Sequence, residues 1–346
     1  MQTLSKNKLS ESRSKVFRSF TNWTGLPSLK SLEGLRSMLK WKFTEPDNSK
    51  IPSAEILETT LPIKTPNFSS TEKLSATWLG HATVYVQMDG VSFITDPVWA
   101  AKASPFSLFG PRRYRKPACK IEDLPTMNFA VISHNHYDHL DKHAVKQLSE
   151  RFPDMEWFVP NGLGWGEHIT LNINNSKYQV FCLPAQHWSQ RWVLDRNKSL
   201  WSGWAILSPN RKFYYTGDTG FCDEEFRKIG TNLGPFDLAA IPIGCYEPRW
   251  FMKSQHIDPA EAVQIHRLVR ANKTLAIHWG TYEMGSNEGY LEPRSRLREE
   301  VEKLGIRSTD IFTLDHGETW SENLNEPSSL LTPAGSEASS TSNFEP

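Results

Sequence analysis

The apolar residues of this chain fall into short runs that predict its elements. Strand-like runs fill residues 76–96, and Asp89-Gly90 between two of them is a two-residue hairpin signal. After residue 129, strand-like runs alternate with helix-like stretches. This order predicts an α/β (α+β) protein in which two mixed sheets pack face to face, with helices outside.

Several runs are followed by a side chain that can bind a metal. The runs and their donors are Phe129–Ile132 with His134, Tyr178–Leu183 with His187, Lys212–Thr216 with Asp218, and Thr274–Ile277 with His278. A rigid sheet can aim the side chains that follow its strands. We therefore expect these donors to meet and to form a site for two metal ions, which needs about six to eight donors.

The densest group of donors is residues 134–139, which read His-Asn-His-Tyr-Asp-His. Neutral imidazole and carboxylate bind zinc at about 2.0–2.2 Å. His134 and His136 are two apart in an extended segment, so they point to one side and can bind one metal. If Leu140–Phe152 is a helix, Asp138 and His139 lie in its first turn and face a second metal. The alternative is a His-rich surface turn, but four donors after a buried run favour metal.

His256 is a further candidate because of the helix start that follows it. Asp258 is suited to be an N-cap, Pro259 the first helical residue and Glu261 the capping-box partner. The alternative for His256 is a loop imidazole that bonds to the backbone.

Longer blocks of sequence carry a family resemblance. They are Trp78–Thr83, Thr95–Pro97, Gly110–Tyr114, Ile132–Asp141, Thr216–Gly220, Ile241–Lys253 and Gln255–Ala262. The His-x-His-x-Asp-His signature, the later His, the later Asp and the final His resemble the metallo-β-lactamase superfamily. The longer blocks resemble the family of phospholipases D that hydrolyse N-acyl-phosphatidylethanolamine. The resemblance extends from about Leu74 to Trp320.

The resemblance implies a four-layer αβ/βα sandwich with two zinc ions per chain. It puts His134, His136 and His187 on one zinc and Asp138, His139 and His278 on the other, with Asp218 bridging both. It also implies that Tyr137 and His256 contact the phosphate of the substrate, and that Asp218 and His256 take part in catalysis.

The function implied by the resemblance is a zinc-dependent phospholipase of the D type. A hydroxide between the two zinc ions would attack the phosphodiester, releasing N-acylethanolamine and leaving phosphatidic acid. The ligand set alone equally permits a soluble metallohydrolase of a lactone, thioester or small phosphodiester. A non-enzymatic lipid-binding protein is the third alternative, and the intact donors oppose it. The aromatic, apolar and cationic residues of 246–253 favour lipid, although they also suit a packed loop.

The remaining polar candidates are predicted to support the structure. Asp96 and Asp141 can either accept from metal-bound imidazoles or cap turns. His81 precedes a strand and has no obvious donor nearby, so we expect a structural hydrogen-bonding role. The histidines without supporting context are expected at the surface or in satisfied interior positions; they are His143, His168, His266 and His316.

Charge and length complete the prediction. The 346 residues carry 39 basic and 39 acidic side chains, which argues against nucleic acid as a partner. Residues 71–320 are expected to form one hydrolase domain. Residues 1–70 are expected to form a basic amphipathic, partly disordered extension, and residues 321–346, with four Glu and no Lys or Arg, a disordered tail.

The basic extension is the predicted membrane contact. Residues 1–42 hold nine Lys or Arg against two Glu, with apolar residues between them, which suits an anionic bilayer surface. A solvated tail and a mitochondrial targeting peptide are the alternatives. With no signal-peptide pattern, no long apolar run and no C-x-x-C pair, we expect an intracellular protein, peripheral on the cytosolic face of internal membranes. A homodimer is implied only by the resemblance.

Overall fold

Two mixed β-sheets form the centre of the protein. The computed structural model describes residues 14–15, 36, 40–41, 43–45, 49–69, 73–105, 110–192, 194–283 and 285–322. Within these residues the strands are β1 (Ser14–Lys15), β2 (Leu74–Gly80), β3 (Thr83–Met88), β4 (Val91–Thr95), β5 (Phe129–Val131), β6 (Glu156–Phe158), β7 (Glu167–Ile173), β8 (Ser176–Leu183), β9 (Gly203–Leu207), β10 (Lys212–Tyr215), β11 (Phe236–Pro242), β12 (Ala271–Ile277), β13 (Ile311–Phe312) and β14 (Thr319–Ser321).

The strand order places the predicted donor segments in both sheets. One sheet has the order β14-β2-β3-β4-β5-β6 and the other the order β1-β7-β8-β9-β10-β11-β12-β13. Strands β4, β5 and β6 run parallel to one another, as do β10, β11, β12 and β13. The β3–β4 hairpin turns at Asp89 and Gly90, both with positive φ, which confirms the hairpin prediction.

Helices cover the outer faces of the sheets. They are α1 (Ala54–Thr60), α2 (Lys142–Arg151), α3 (Asp223–Asn232), α4 (Arg249–Met252), α5 (Pro259–Leu268) and α6 (Glu292–Lys303), with a 3₁₀ turn at Ile121–Asp123. None of the helices in the described ranges is both long and apolar enough to cross a membrane.

Alternation along the strands builds two apolar layers. Phe93 and Phe129 point into the main core between the sheets, whereas their neighbours Ile94 and Ala130 point outward. The outward group packs against Leu148 of α2 and buries the other face of the six-stranded sheet. The layers therefore follow the order αβ/βα, which confirms the predicted fold class.

Helix α2 begins later than the sequence suggested. The side chain of Asp141 accepts from the backbone N–H groups of His143 and Ala144, so it is the N-cap and the helix starts at Lys142. The prediction that Asp138 and His139 lie in the first helical turn is therefore wrong. They lie in a separate turn before the helix.

Residues on both sides of the predicted domain limits, 71 and 320, contact the sheets or the core. Leu57 and Leu61 are buried in the main core, because one face of α1 is apolar. At the other end, Ser321 pairs with β2, and Glu322 accepts from the guanidinium of Arg211. Within the predicted extension, Trp41 is also buried, and its indole donates to the side chain of Asn287. The predicted disorder of most of residues 1–48 and of the tail after Glu322 concerns residues outside the described ranges.

Candidate metal centre

Donor side chains from both sheets converge at one edge of the sandwich. Residues 134–139 follow β5 of the six-stranded sheet, while His187, Asp218 and His278 follow β8, β10 and β12 of the eight-stranded sheet. The structure thus brings together all the donors that the sequence singled out.

The carboxylate of Asp218 lies at the centre of this group. Its Oδ2 is 3.1 Å from Nε2 of His278 and 3.2 Å from Nε2 of His139. The same atom is 3.8 Å from Nε2 of His187 and 3.9 Å from Nε2 of His134. One carboxylate therefore faces imidazoles from both predicted ligand sets.

A tight backbone turn holds Asp218 in this position. Gly217 has a φ of 62°, and a Cβ there would lie 2.6 Å from the carbonyl oxygen of Ser202. Only glycine, which has no Cβ, lets the backbone of this turn approach the backbone at Ser202 so closely.

The first group of donors consists of three histidines. Nδ1 of His136 lies 2.8 Å from Nε2 of His134 and 3.3 Å from Nε2 of His187. Burial, reinforced by the neighbouring histidines, lowers the pKa of His134 well below its ordinary value and that of His136 to about 3. Burial also lowers the pKa of His187 to about 4. All three rings are thus neutral, as a metal ligand requires.

The second group combines a carboxylate with two histidines. Oδ2 of Asp138 is 3.5 Å from Nε2 of His139 and 3.7 Å from Nε2 of His278. Burial disfavours charge here, but Asp218 and Asp138 outweigh it, raising the pKa of His139 well above its ordinary value and that of His278 to about 9. In turn, His139 and His278 hold the pKa values of Asp138 and Asp218 well below their ordinary range. Both histidines are therefore protonated beside ionised carboxylates, and a cation bound by this group would displace one proton from each ring.

These donors fit divalent cations in chemistry and spacing. Ligand atoms about 2.0–2.1 Å from a tetrahedral zinc lie about 3.3 Å from one another, close to the separations within both groups. Imidazole nitrogens that face one another in a buried site have mutually repulsive lone pairs unless a proton or a metal lies between them. Each group contains the residues of one ligand set that the resemblance implied, and Asp218 faces both; the assignment of metals to these sets stays a prediction. His81 lies within ligand distance of the second group as well.

Asp96 positions two of the histidines, one directly and one through Ser133, by contacts to their Nδ1 atoms. This fully buried carboxylate accepts from Nδ1 of His139 at 2.6 Å, from the backbone N–H of Ser133 at 2.6 Å and from the hydroxyl of Tyr215. The hydroxyl of Ser133 also donates to Asp96, at 2.5 Å, and lies 2.8 Å from Nδ1 of His134. Of the two roles left open for Asp96, the structure shows contact with a candidate ligand.

Asp141 has the other role left open for these two carboxylates, which is to cap a turn. Besides capping α2, its carboxylate accepts from the backbone N–H groups of Trp99 and Ala100. Asp141 therefore joins a loop to the start of the helix, and none of its hydrogen bonds reaches a donor of the site.

His81 belongs to the site, contrary to the expectation that it has no donor nearby. It follows β2, and its Nε2 lies 2.9 Å from Oδ2 of Asp138. The signal was its position after a strand, which it shares with the other donors. Burial and His278 lower the pKa of the His81 ring to about 3.

The four histidines without supporting context occupy the positions predicted for them. His143 is exposed, and His168 is buried against the ring of Phe181. His266 and His316 are buried, and their rings bond to threonine hydroxyls.

The two predicted substrate contacts lie beside the donors. Nδ1 of His256 is 3.9 Å from Oδ2 of Asp218, and the capping box of Asp258 and Glu261 holds it just before α5. The hydroxyl of Tyr137 donates to the carbonyl oxygen of Arg191, whose guanidinium lies 4.1 Å from the Tyr137 ring centroid.

A cavity of about 550 Å³ opens onto the centre. Aromatic and other side chains line it, among them Tyr137, Trp188, Trp192, Tyr282, Arg191 and Cys245.

In the 246–253 segment, whose composition favoured a lipid substrate, Tyr246 is buried and Arg249 bonds to the backbone of His256, so packing explains those two. Trp250 is 40% exposed.

Comparison with known proteins gives three informative similarities. Residues 92–279 match the model of the beta-lactamase superfamily domain. The chain is 50% identical to N-acyl-phosphatidylethanolamine-hydrolyzing phospholipase D 1 of Caenorhabditis elegans, over 88% of this chain and 90% of that protein. It is 34% identical to the mitochondrial N-acyl-phosphatidylethanolamine-hydrolyzing phospholipase D of Saccharomyces cerevisiae, over 64% of this chain and 50% of the yeast protein.

A solved structure supports the fold. A metallo hydrolase from the archaeon Ignicoccus hospitalis superposes with a TM-score of 0.54 and 20% identity, covering 72% of this chain and 99% of its own. At this level of identity the likeness concerns the fold alone.

Proposed function

Because this chain belongs to the beta-lactamase superfamily, and within it to the family of N-acyl-phosphatidylethanolamine-hydrolysing phospholipases D, we propose that it is a metal-dependent lipid phosphodiesterase. It cleaves N-acyl-phosphatidylethanolamine, releasing N-acylethanolamine and leaving phosphatidic acid. The observation that carries the proposal is the convergence of imidazoles from both sheets on the carboxylate of Asp218, in a chain with these relatives.

Two zinc ions are the proposed cofactor. The first would be held by His134, His136 and His187 and the second by Asp138, His139 and His278, with Asp218 shared. When bound, such ions supply Lewis acidity, lowering the pKa of water from about 15.7 to about 7 and neutralising charge on a phosphodiester. The nitrogen-rich donor set supports zinc over magnesium or calcium, which prefer oxygen ligands.

The residues around the donors would bind and orient the substrate. The aromatic wall of the cavity suits apolar parts of the lipid and excludes water from the reacting group. His256 faces Asp218, and its buried Nδ1 has no hydrogen-bond partner in the described ranges, so it can bond to a phosphate oxygen. Tyr137 can do so only after its hydroxyl leaves the carbonyl of Arg191.

Replacing His256 with Ala is expected to reduce kcat about 10²-fold while leaving the metal content unchanged, because the imidazole acts on the substrate rather than on the metal. Steady-state kinetics and metal analysis of the same preparation measure both quantities. The exposed His143→Ala variant is the control and should behave as the wild type. Loss of metal from His256→Ala would make this residue a ligand or a structural residue instead.

A membrane surface is the proposed site of action. Large apolar side chains beside the cavity support it, since Trp192 is 61% exposed and Leu194 is 66% exposed. We propose that these residues and the basic extension adsorb to the cytosolic face of an internal membrane. Co-sedimentation with anionic vesicles tests this. The homodimer stays a prediction that light scattering would test.

The activity itself is tested by combining metal analysis with mass spectrometry of products from N-acyl-phosphatidylethanolamine vesicles. We expect two zinc ions per chain and equal amounts of N-acylethanolamine and phosphatidic acid. Vesicles incubated with protein stripped of metal by a chelator provide the control. Full zinc content without phosphatidic acid would contradict the lipid assignment and favour the soluble metallohydrolase, to be assayed on lactones, thioesters and small phosphodiesters.

A further inference from the structure

The turn that contains His81 is joined to the segment of His278 by several backbone contacts. The carbonyl oxygen of His81 accepts from the backbone N–H of His278 at 2.9 Å. The backbone N–H of His81 donates to the hydroxyl of Thr281 at 2.6 Å. The indole of Trp78 also donates to the His81 carbonyl oxygen. This turn of the six-stranded sheet is therefore locked onto the end of β12 in the other sheet.

In the part of the chain that the structure describes, the side chain of His81 makes one hydrogen bond, which is directed at Asp138. Nε2 lies 2.9 Å from Oδ2 of Asp138, while Nδ1 is buried and has no hydrogen-bond partner among the described residues. An ionised carboxylate only accepts hydrogen bonds, so Nε2 must carry the proton that is donated. The bond thus fixes the tautomer of His81 and the orientation of the carboxylate together.

The ring of His81 also packs against the second donor group. Its centroid is 4.0 Å from that of His278 and 5.2 Å from that of His139. Tyr282 meets the His81 ring edge-on from another side, at 5.3 Å. Since His81 is only 2% exposed, this packing leaves its ring little freedom to turn.

We propose that His81 is a positioning residue for the metal held by Asp138, His139 and His278. Its Nε2–H orients the Asp138 carboxylate, and its ring supports the imidazole of His278. Within the described ranges, its side chain contacts Asp138, His139, His278 and Tyr282 but none of the three histidines of the first group, so we expect the effect to be confined to one of the two metals. This inference rests on the binuclear centre of the proposed function.

The alternative is that His81 is itself a ligand. Its ring nitrogen lies within 4.8 Å of the ligand atoms of Asp138, His139 and His278. The two roles differ in what can replace the imidazole. A positioning residue needs only an N–H donor near the place of Nε2, whereas a ligand needs a lone pair with the basicity of imidazole.

The test compares His81→Ala with His81→Gln, in which an amide N–H can take the place of Nε2–H. His81 has a φ of 53°, so both variants carry a similar backbone cost and differ only in the side chain. Zinc affinity is measured by competition with a chromophoric chelator, and the cobalt form is examined by visible absorption. His266→Ala removes another buried imidazole with one side-chain hydrogen bond, to Thr274, and serves as the matched control.

We expect His81→Ala to bind one metal with wild-type affinity and the second about 10- to 100-fold more weakly. His81→Gln should recover the second affinity to within a few fold, and its cobalt spectrum should match that of the wild type. His266→Ala should bind both metals normally.

Each of the following results would overturn the inference. Unchanged affinity in His81→Ala would remove any role, while equal loss of the second metal in both variants, with a changed cobalt spectrum, would make His81 a ligand. Equal weakening of both metals would indicate a general structural effect. If the wild type binds fewer than two metals, the binuclear centre of the proposed function fails, and this inference fails with it.

Discussion

Replacing Asp218 with Asn is expected to reduce kcat/KM by about 10³-fold or more and to remove bound metal, since this carboxylate is shared by both donor groups. Asn has nearly the same shape but lacks the charge that two divalent cations require. Metal content and hydrolysis of N-acyl-phosphatidylethanolamine should fall together.

A second readout of this variant needs no metal. Burial alone lowers the pKa of His278, and it is chiefly the charge of Asp218 that raises it to about 9. In the metal-free Asn variant, proton NMR titration should therefore show a lower pKa for His278. The control is Asp223→Asn, because Asp223 is exposed at the start of α3 and pairs with Arg227 rather than with any of the donors. Asp218→Asn protein that keeps both metals and full hydrolysis would refute the proposed centre.

Replacing Asp96 with Ala is expected to be the most destabilising single change at the site. It strips an acceptor from Ser133, His139 and Tyr215 at a fully buried position, so their donor groups lose a hydrogen bond where water cannot replace it. We expect the free energy of unfolding of the metal-free protein to fall by about 3–5 kcal/mol. Metal affinity should also fall about 10- to 100-fold, because the ring of His139 is no longer oriented.

Urea unfolding and chelator competition measure these two effects separately. Asp310→Ala is the matched control, since Asp310 is also buried but pairs with Lys273 and Arg307. That variant should lose stability and keep its metal affinity. Normal metal affinity in Asp96→Ala would show that the network serves the fold alone.

Local patterns predicted the parts of the protein that depend on near neighbours in sequence. The hairpin at Asp89-Gly90 and the capping box of Asp258 and Glu261 are set by a few adjacent residues, and both are present in the structure. The donors after the strands were visible because parallel strands place their carboxyl ends at one edge. Spacing indicated one metal for His134 and His136 and another for the donors at 138 and 139, whereas the assignment of His187, Asp218 and His278 followed from the family resemblance.

The misses involved competition between elements or contacts far apart in sequence. Both Asp138 and Asp141 could precede a helix, and only the cap bonds of Asp141 decide where α2 begins. His81 and Asp138 are 57 positions apart, and nothing local to either indicates that they meet. Leu57 lies in α1 and Leu61 directly follows it, and the burial of Leu61 depends on a surface formed more than two hundred residues later, at Gly280.

The origin of the donors in two different sheets has a mechanical consequence. Residues 134–139 leave one sheet, and His187, Asp218 and His278 leave the other. Metal ions bound by side chains from both sheets would cross-link the two sheets, so separating the sheets would require breaking coordination bonds. A free metal concentration one hundred times the Kd adds about 2.7 kcal/mol per site against unfolding. The concentration of free metal would thus determine how long the chain stays folded as well as how fast it catalyses the reaction.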